Sequence, residues 1–178
     1  MQGIIPSLNT PFFENGNLDL KSLSRLIKHT IKSGCNGMLG LAVAGEHESL
    51  SLLEKIDFIR TVTYENKQKI PFIVSVSNFE KELSIKLSKI AKKFNASGIC
   101  IQIDQNDNIS ENLKLLNAIS KVGPEIIMVQ DLDWSGSGLN LDYILKLYDE
   151  IDKFRWLKIE TCLAGPKYTK IKKKTNNN

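Results

Sequence analysis

Short apolar runs punctuate the chain at six places: Gly3 to Leu8, Gly37 to Leu41, Phe72 to Val76, Gly98 to Ile103, Ile126 to Gln130 and Arg155 to Glu160. Between them apolar positions recur every three or four residues, the spacing of helices that bury one face. Asp19 reads as the cap of the first helix, which carries Leu20, Leu23, Ile27 and Ile31 and stops at Gly34. Ser51-Leu52-Leu53-Glu54 is a capping box, in which hydroxyl and carboxylate satisfy orphan backbone donors reciprocally, ahead of Leu52, Ile56, Ile59 and Val62. The same pattern at Ser77 to Glu80 predicts a third helix with Leu83, Leu87, Ile90 and Phe94. Ser110 is expected to cap a fourth, built on Leu113, Leu116 and Ile119 and halted by Gly123-Pro124. A fifth, with Ile144, Leu147, Tyr148 and Ile151, leads into the last apolar run.

The runs start between 26 and 35 residues apart, the length of one βα unit, and no two occur without a helical stretch between them. Strict alternation of this kind predicts parallel α/β architecture. A doubly wound sheet and a TIM barrel both satisfy it. The segment after the first run, Asn9-Thr10-Pro11-Phe12-Phe13, lacks the glycines of a dinucleotide-binding turn, which favours the barrel. Six units are two short of a closed ring, and 178 residues fall well below the ~250 typical of that fold. The expectation is an incomplete (β/α)8 barrel over residues 1–166, followed by a basic, disordered tail over residues 167–178.

Charge alters this picture little. The net +4 arises from Lys167, Lys170, Lys172, Lys173 and Lys174, and without them the body carries one more acidic than basic residue. A nucleic-acid footprint is therefore not expected. Cys35, Cys100 and Cys162 are too scattered for a disulfide framework or a zinc site and read as free thiols in a reducing cytoplasm. No apolar run approaches the ~18 residues of a membrane span, and neither a membrane association nor a targeting signal is expected. His29 and His47 lack partners at metal-ligand spacing and are assigned surface or capping roles; neither a metal nor another cofactor is expected.

Candidate chemistry collects where a parallel barrel puts it, at the C-terminal ends of the strands. Lys158 stands between Leu157 and Ile159 in the sixth run, an expensive place for an ammonium. Alternation sends Trp156, Lys158 and Glu160 to one face, so amine and carboxylate lie side by side. From the residues alone this is either an ion pair at a sheet rim or a reactive lysine. The small residues ending in Gly45 allow close backbone approach to an anion, or merely a tight turn. Asp131 and Asp133, with Trp134 and the glycines after it, form an acidic loop that reads as a polar pocket or as a solvated turn.

Taken in order, Gly3-Ile4-Ile5-Pro6-Ser7-Leu8-Asn9-Thr10-Pro11-Phe12, then Gly16 and Asp19, Gly45-Glu46, Leu50-Ser51 with Glu54, Gly138 with Leu141, and Leu157-Lys158 resemble the dihydrodipicolinate synthase and N-acetylneuraminate lyase family. The resemblance implies a TIM-barrel enzyme that joins a lysine of the sixth strand to pyruvate as a Schiff base, with Lys158 at that position. It also implies that the backbone of Val43, Ala44 and Gly45 holds the pyruvate carboxylate, that the substrate is a small 2-keto acid, and that the full-length protein is a homo-oligomer. Two departures stand out. Val43 and Ala44 occupy places where the family carries hydroxyls of a proton relay, and the family's tyrosine falls at Gln130 or Asp131, neither of which is a tyrosine. Glu160 or Asp131 is then the substitute acid or base. The reading is a pyruvate-type class I aldolase or lyase homologue lacking the last two βα units, divergent at the relay. Its alternatives are a 2-keto-3-deoxy sugar acid aldolase or dehydratase, and a non-catalytic fragment.

Overall fold

The computed structural model describes residues 3–78, 80–103 and 108–175. Among the described residues, five parallel strands form one sheet in sequential order: β1 (Met38–Gly40), β2 (Phe72–Ser75), β3 (Gly98–Gln102), β4 (Ile127–Asp133) and β5 (Phe154–Thr161). Helix α1 (Leu20–Lys32) precedes β1, α2 (Leu52–Asn66) follows it, and α3 (Lys81–Lys93), α4 (Ile109–Val122), α5 (Leu141–Glu150) and α6 (Ala164–Lys174) follow the later strands in turn.

Two apolar clusters decide between the architectures. One unites the helices with the outward strand residues, among them Ile27, Phe58, Val74, Leu87, Ile101, Leu116, Val129 and Leu147. The other contains only strand and loop residues: Leu39, Ala42, Ile73, Cys100 and Met128, with Ile5 and Trp156 against them. Helices thus cover one face and the second face is an interior of its own. With no reversal of strand order, this is an incomplete TIM barrel and not a doubly wound sheet.

The first helices start as the sequence dictates. Asp19 Oδ1 accepts the Ser22 amide at 2.9 Å, and in the capping box Ser51 Oγ accepts the Glu54 amide while Glu54 Oε2 accepts the Ser51 amide at 2.8 Å. Three local expectations are corrected. Ser77 does not cap α3, whose N-cap position is Glu80; its hydroxyl instead accepts the Gln102 amide at 2.8 Å, a tertiary bond that outcompetes the local one. Asn108, not Ser110, caps α4, taking the Ser110 amide at 3.0 Å. His47 is buried in a short 3-10 turn and not on the surface.

The ends of the sheet also differ from expectation. Gly3 to Leu8 is not a strand but a segment bridged to β1 at Ser7 and Leu39, with the Leu39 amide donating to Pro6 O at 2.9 Å and the Leu8 amide to Leu39 O at 2.8 Å. Pro6 has no N–H to extend the ladder, and the Ile4 amide is taken by Asn36 Oδ1. At the other edge, a disordered tail is expected over residues 167–178; residues 167–174 are helical, and residues 176–178 lie outside the described residues. Tyr168 explains the docking of α6: its hydroxyl accepts the Ile159 amide at 3.2 Å and donates to Leu157 O at 3.1 Å, along the free edge of β5. Ile171 packs against the helix-side core beside it.

β5 enters the sheet through a bulge. Ile127 pairs with Phe154 and Met128 with Trp156, so Arg155 is one residue more than β4 can match. This lets Phe154 face the helices and Trp156 face the interior, although they stand two apart.

Candidate active site

From Trp156 onward β5 alternates regularly, and Lys158 and Glu160 share the interior face with Trp156. Lys158 Nζ lies 3.0 Å from Glu160 Oε2. The neighbouring strand supplies a third member. Gln130 is the register partner of Lys158, is buried, and donates from Nε2 to the same Glu160 oxygen at 2.6 Å. Cys100 on β3 completes the line, its Sγ 3.8 Å from Gln130 Oε1. Burial pushes the Cys100 thiol up to about 12, with Glu160 adding to the shift and Lys158 opposing it. Met128 and Trp156 pack beneath this row in the interior cluster, so an apolar floor carries a polar rim toward the C-terminal ends of the strands.

Val43–Gly45 forms a 3-10 turn beyond the C-terminal end of β1, at the same end of the sheet. Gly45 is wedged in place: its carbonyl accepts the Thr10 hydroxyl at 2.6 Å, and a Cβ there would meet Leu8 O at 2.9 Å. The Gly45 amide is committed to Ala42 O at 2.8 Å and the Glu46 amide to Val43 O at 3.0 Å. The amides at the start of the turn, Val43 and Ala44, have no place in this internal pattern, as at the beginning of any helical turn.

A description of the dihydrodipicolinate synthetase family matches residues 1–102, more than half of the sequence. The chain belongs to that family. Over 96% of its length this member is 26% identical to the L-2-keto-3-deoxyarabonate dehydratase of Azospirillum brasilense, and over 98% it is 26% identical to the 4-hydroxy-tetrahydrodipicolinate synthase of Karelsulcia muelleri (strain GWSS). It spans 57% and 60% of those proteins. Among solved structures, dihydrodipicolinate synthase from Aquifex aeolicus superposes with a TM-score of 0.87 at 21% identity, covering 97% of this chain and 59% of that one. N-acetylneuraminate lyase from Mycoplasma synoviae superposes with a TM-score of 0.86 at 20% identity, covering 99% and 60%. These likenesses show a shared barrel fold.

For this family member the β4–β5 register settles which residue neighbours the lysine: it is Gln130. Asp131 is corrected accordingly. It lies within β4, which runs on to Asp133, and points to the helix side, fully buried. There Oδ1 accepts the Leu139 amide at 2.8 Å and Oδ2 pairs with Lys167 Nζ at 2.5 Å; the same ammonium donates to Ser137 O. Gly138 adopts φ +66°, and a Cβ on it would collide with the Asp131 carboxylate. Asp133 organises the rest of the loop by accepting the amides of Ser135 and Gly138 and the Ser135 hydroxyl. The Gly138 amide first, and then those of Ser135 and Gly136, hold its carboxyl below the usual carboxylate range. The structure therefore brings Lys158 and Glu160 together and separates Asp131 from them. Sequence reasoning missed Gln130 as part of the group and Lys167 as the partner of Asp131. The signal for the first was a lone amide, two residues after Met128, at the end of an apolar run.

Proposed function

We propose that this chain carries the Schiff-base half of a 2-keto acid aldolase or lyase, with Lys158 as the nucleophile and Glu160 as its acid–base partner. The observation that carries the reading is the amine lying 3.0 Å from a carboxylate on the interior face of a barrel of this family. To attack a ketone the amine must shed its proton, and Glu160 is placed to receive it. Nζ then bonds to the keto carbon, and the carbonyl oxygen, after taking up two protons, departs as water. A protonated imine remains. It withdraws electrons from the adjacent carbon and so assists loss of a proton, of a hydroxyl or of a carbon fragment. The amides of Val43 and Ala44 are the proposed holders of the substrate carboxylate; that of Gly45 is already used within its turn.

Dehydration or aldol cleavage of a 2-keto-3-deoxy sugar acid is favoured over dihydrodipicolinate synthesis. Gln130 cannot shuttle a proton as a tyrosine does, and Val43 and Ala44 bring no hydroxyls. The relative matched over 96% of the chain is named as a dehydratase of such an acid. Incubation with pyruvate and borohydride, followed by peptide mass mapping, tests the reading: a reduced adduct is expected on Lys158 and is lost in Lys158→Ala. A folded wild-type protein that gains no adduct, or a variant labelled as before, overturns it.

A further inference from the structure

Gln130 transfers no proton in that reaction, yet it lies beside the lysine and is only 1% exposed. Its amide has one donor end and one acceptor end, and the surroundings fix which faces where. Turned over, it would set its carbonyl against the Glu160 carboxylate, acceptor against acceptor. In the fold, Nε2 donates to Glu160 Oε2 at 2.6 Å and Oε1 faces Cys100 Sγ at 3.8 Å. The thiol, pushed up to about 12 by burial, keeps the proton that it offers. Glu160 by itself is poorly restrained, because its side chain is 38% exposed and rotates about three bonds. The same oxygen is the one that Lys158 Nζ reaches.

We propose that Gln130 is a positioning residue: anchored between Cys100 and Glu160, its amide holds the carboxylate oxygen of Glu160 against the Lys158 amine. The chemical consequence rests on the Schiff-base reading; the geometry does not.

The trapping rate on Lys158 is measured for wild type, Gln130→Met, Glu160→Gln and the double variant. Gln130→Met is expected to lower the saturated rate about tenfold, part of the roughly 10²–10⁴ that a positioned acid–base group supplies, without changing the half-saturating pyruvate concentration. The double variant is expected to react no more slowly than Glu160→Gln, because Gln130 acts only through Glu160. Losses that multiply overturn the proposal. A substrate-free measurement separates it from the Schiff-base reading. The side-chain amide of Gln130, observed by 15N NMR, is expected to exchange more slowly than that of exposed Gln68 and to shift in Glu160→Gln. Protection and shift without any adduct would sink the chemistry and keep the positioning. An amide that exchanges as fast as that of Gln68 would sink the positioning whatever the adduct does.

Discussion

Two lysine–carboxylate pairs bracket the C-terminal end of β5, and they differ in everything but composition. Lys158 and Glu160 lie on the interior face at 3.0 Å with side chains 26% and 38% exposed. Lys167 and Asp131 lie on the helix side at 2.5 Å with side chains 14% and 0% exposed. The first pair is open to water, and its carboxylate is braced by an amide from the adjacent strand. The second is roofed by the β4–α5 loop and ties α6 to the barrel through Ser137 and Leu139 as well. An accessible pair contributes little to stability and can exchange partners, as catalysis requires. A buried one is costly to break, because each member would be left uncompensated. The difference teaches that a lysine beside an acid signals chemistry only when the pair is free to come apart.

The sharpest way to break this comparison is to remove one lysine at a time. Lys167→Ala strands a buried carboxylate and is expected to lower the unfolding free energy by about 3–5 kcal/mol, whereas Asp131→Leu combined with Lys167→Met, which leaves no charge behind, costs far less. Lys158→Ala is expected to change stability by about 1 kcal/mol or less. Urea denaturation of the four proteins checks the order, and equal losses from the two single lysine variants would erase the distinction. Cys100 sharpens it further, because its buried, proton-bearing thiol reacts only when the sheet opens. Alkylation of Cys100 is expected to accelerate by roughly two orders of magnitude or more in Lys167→Ala, in proportion to the lost free energy, and to stay near the wild-type rate in Lys158→Ala, while exposed Cys162 reacts quickly in all.

The smallest effect concerns Asp133, whose folded carboxyl is held below its ordinary value of 3.8 by backbone amides. Such a group contributes stability above its unfolded pKa and loses it as pH falls through the lower, folded value. Asp133→Asn is therefore expected to be slightly less stable than wild type at neutral pH. The gap should close as acid titrates the wild-type carboxyl, which thermal melts along a pH series will show. A gap that widens in acid would mean that Asp133 is not the anion organising the loop.

Much of the fold was legible because it is encoded locally. The alternation of apolar runs with helical faces, the Asp19 cap and the Ser51–Glu54 box are decided within a few residues of chain, and the side-by-side placement of Lys158 and Glu160 follows from strand geometry alone. What escaped was decided across the chain. Ser77 has the sequence of a cap, but a better acceptor role awaits it at Gln102 on the next strand. Asp131 reads as loop because its neighbours are polar, yet pairing with β5 carries the strand through Asp133. The lysines of α6 masked Tyr168 and Ile171, whose three-residue spacing was the one sign of a docked face. The Asp131–Lys167 pair joins residues 36 apart and has no local signature.

The unmatched Arg155 bears on how this strand can diverge. Because the extra residue is absorbed at the entrance of β5, everything from Trp156 onward keeps its phase with β4. A one-residue insertion or deletion at that entrance can be taken up by making or removing the bulge, and the amine still faces the barrel axis. Within the stretch from Leu157 to Glu160 nothing provides such slack, and a single lost residue there would trade the inward for the outward set of side chains. The lysine is thus buffered against length changes on its upstream side and wholly exposed to them around itself.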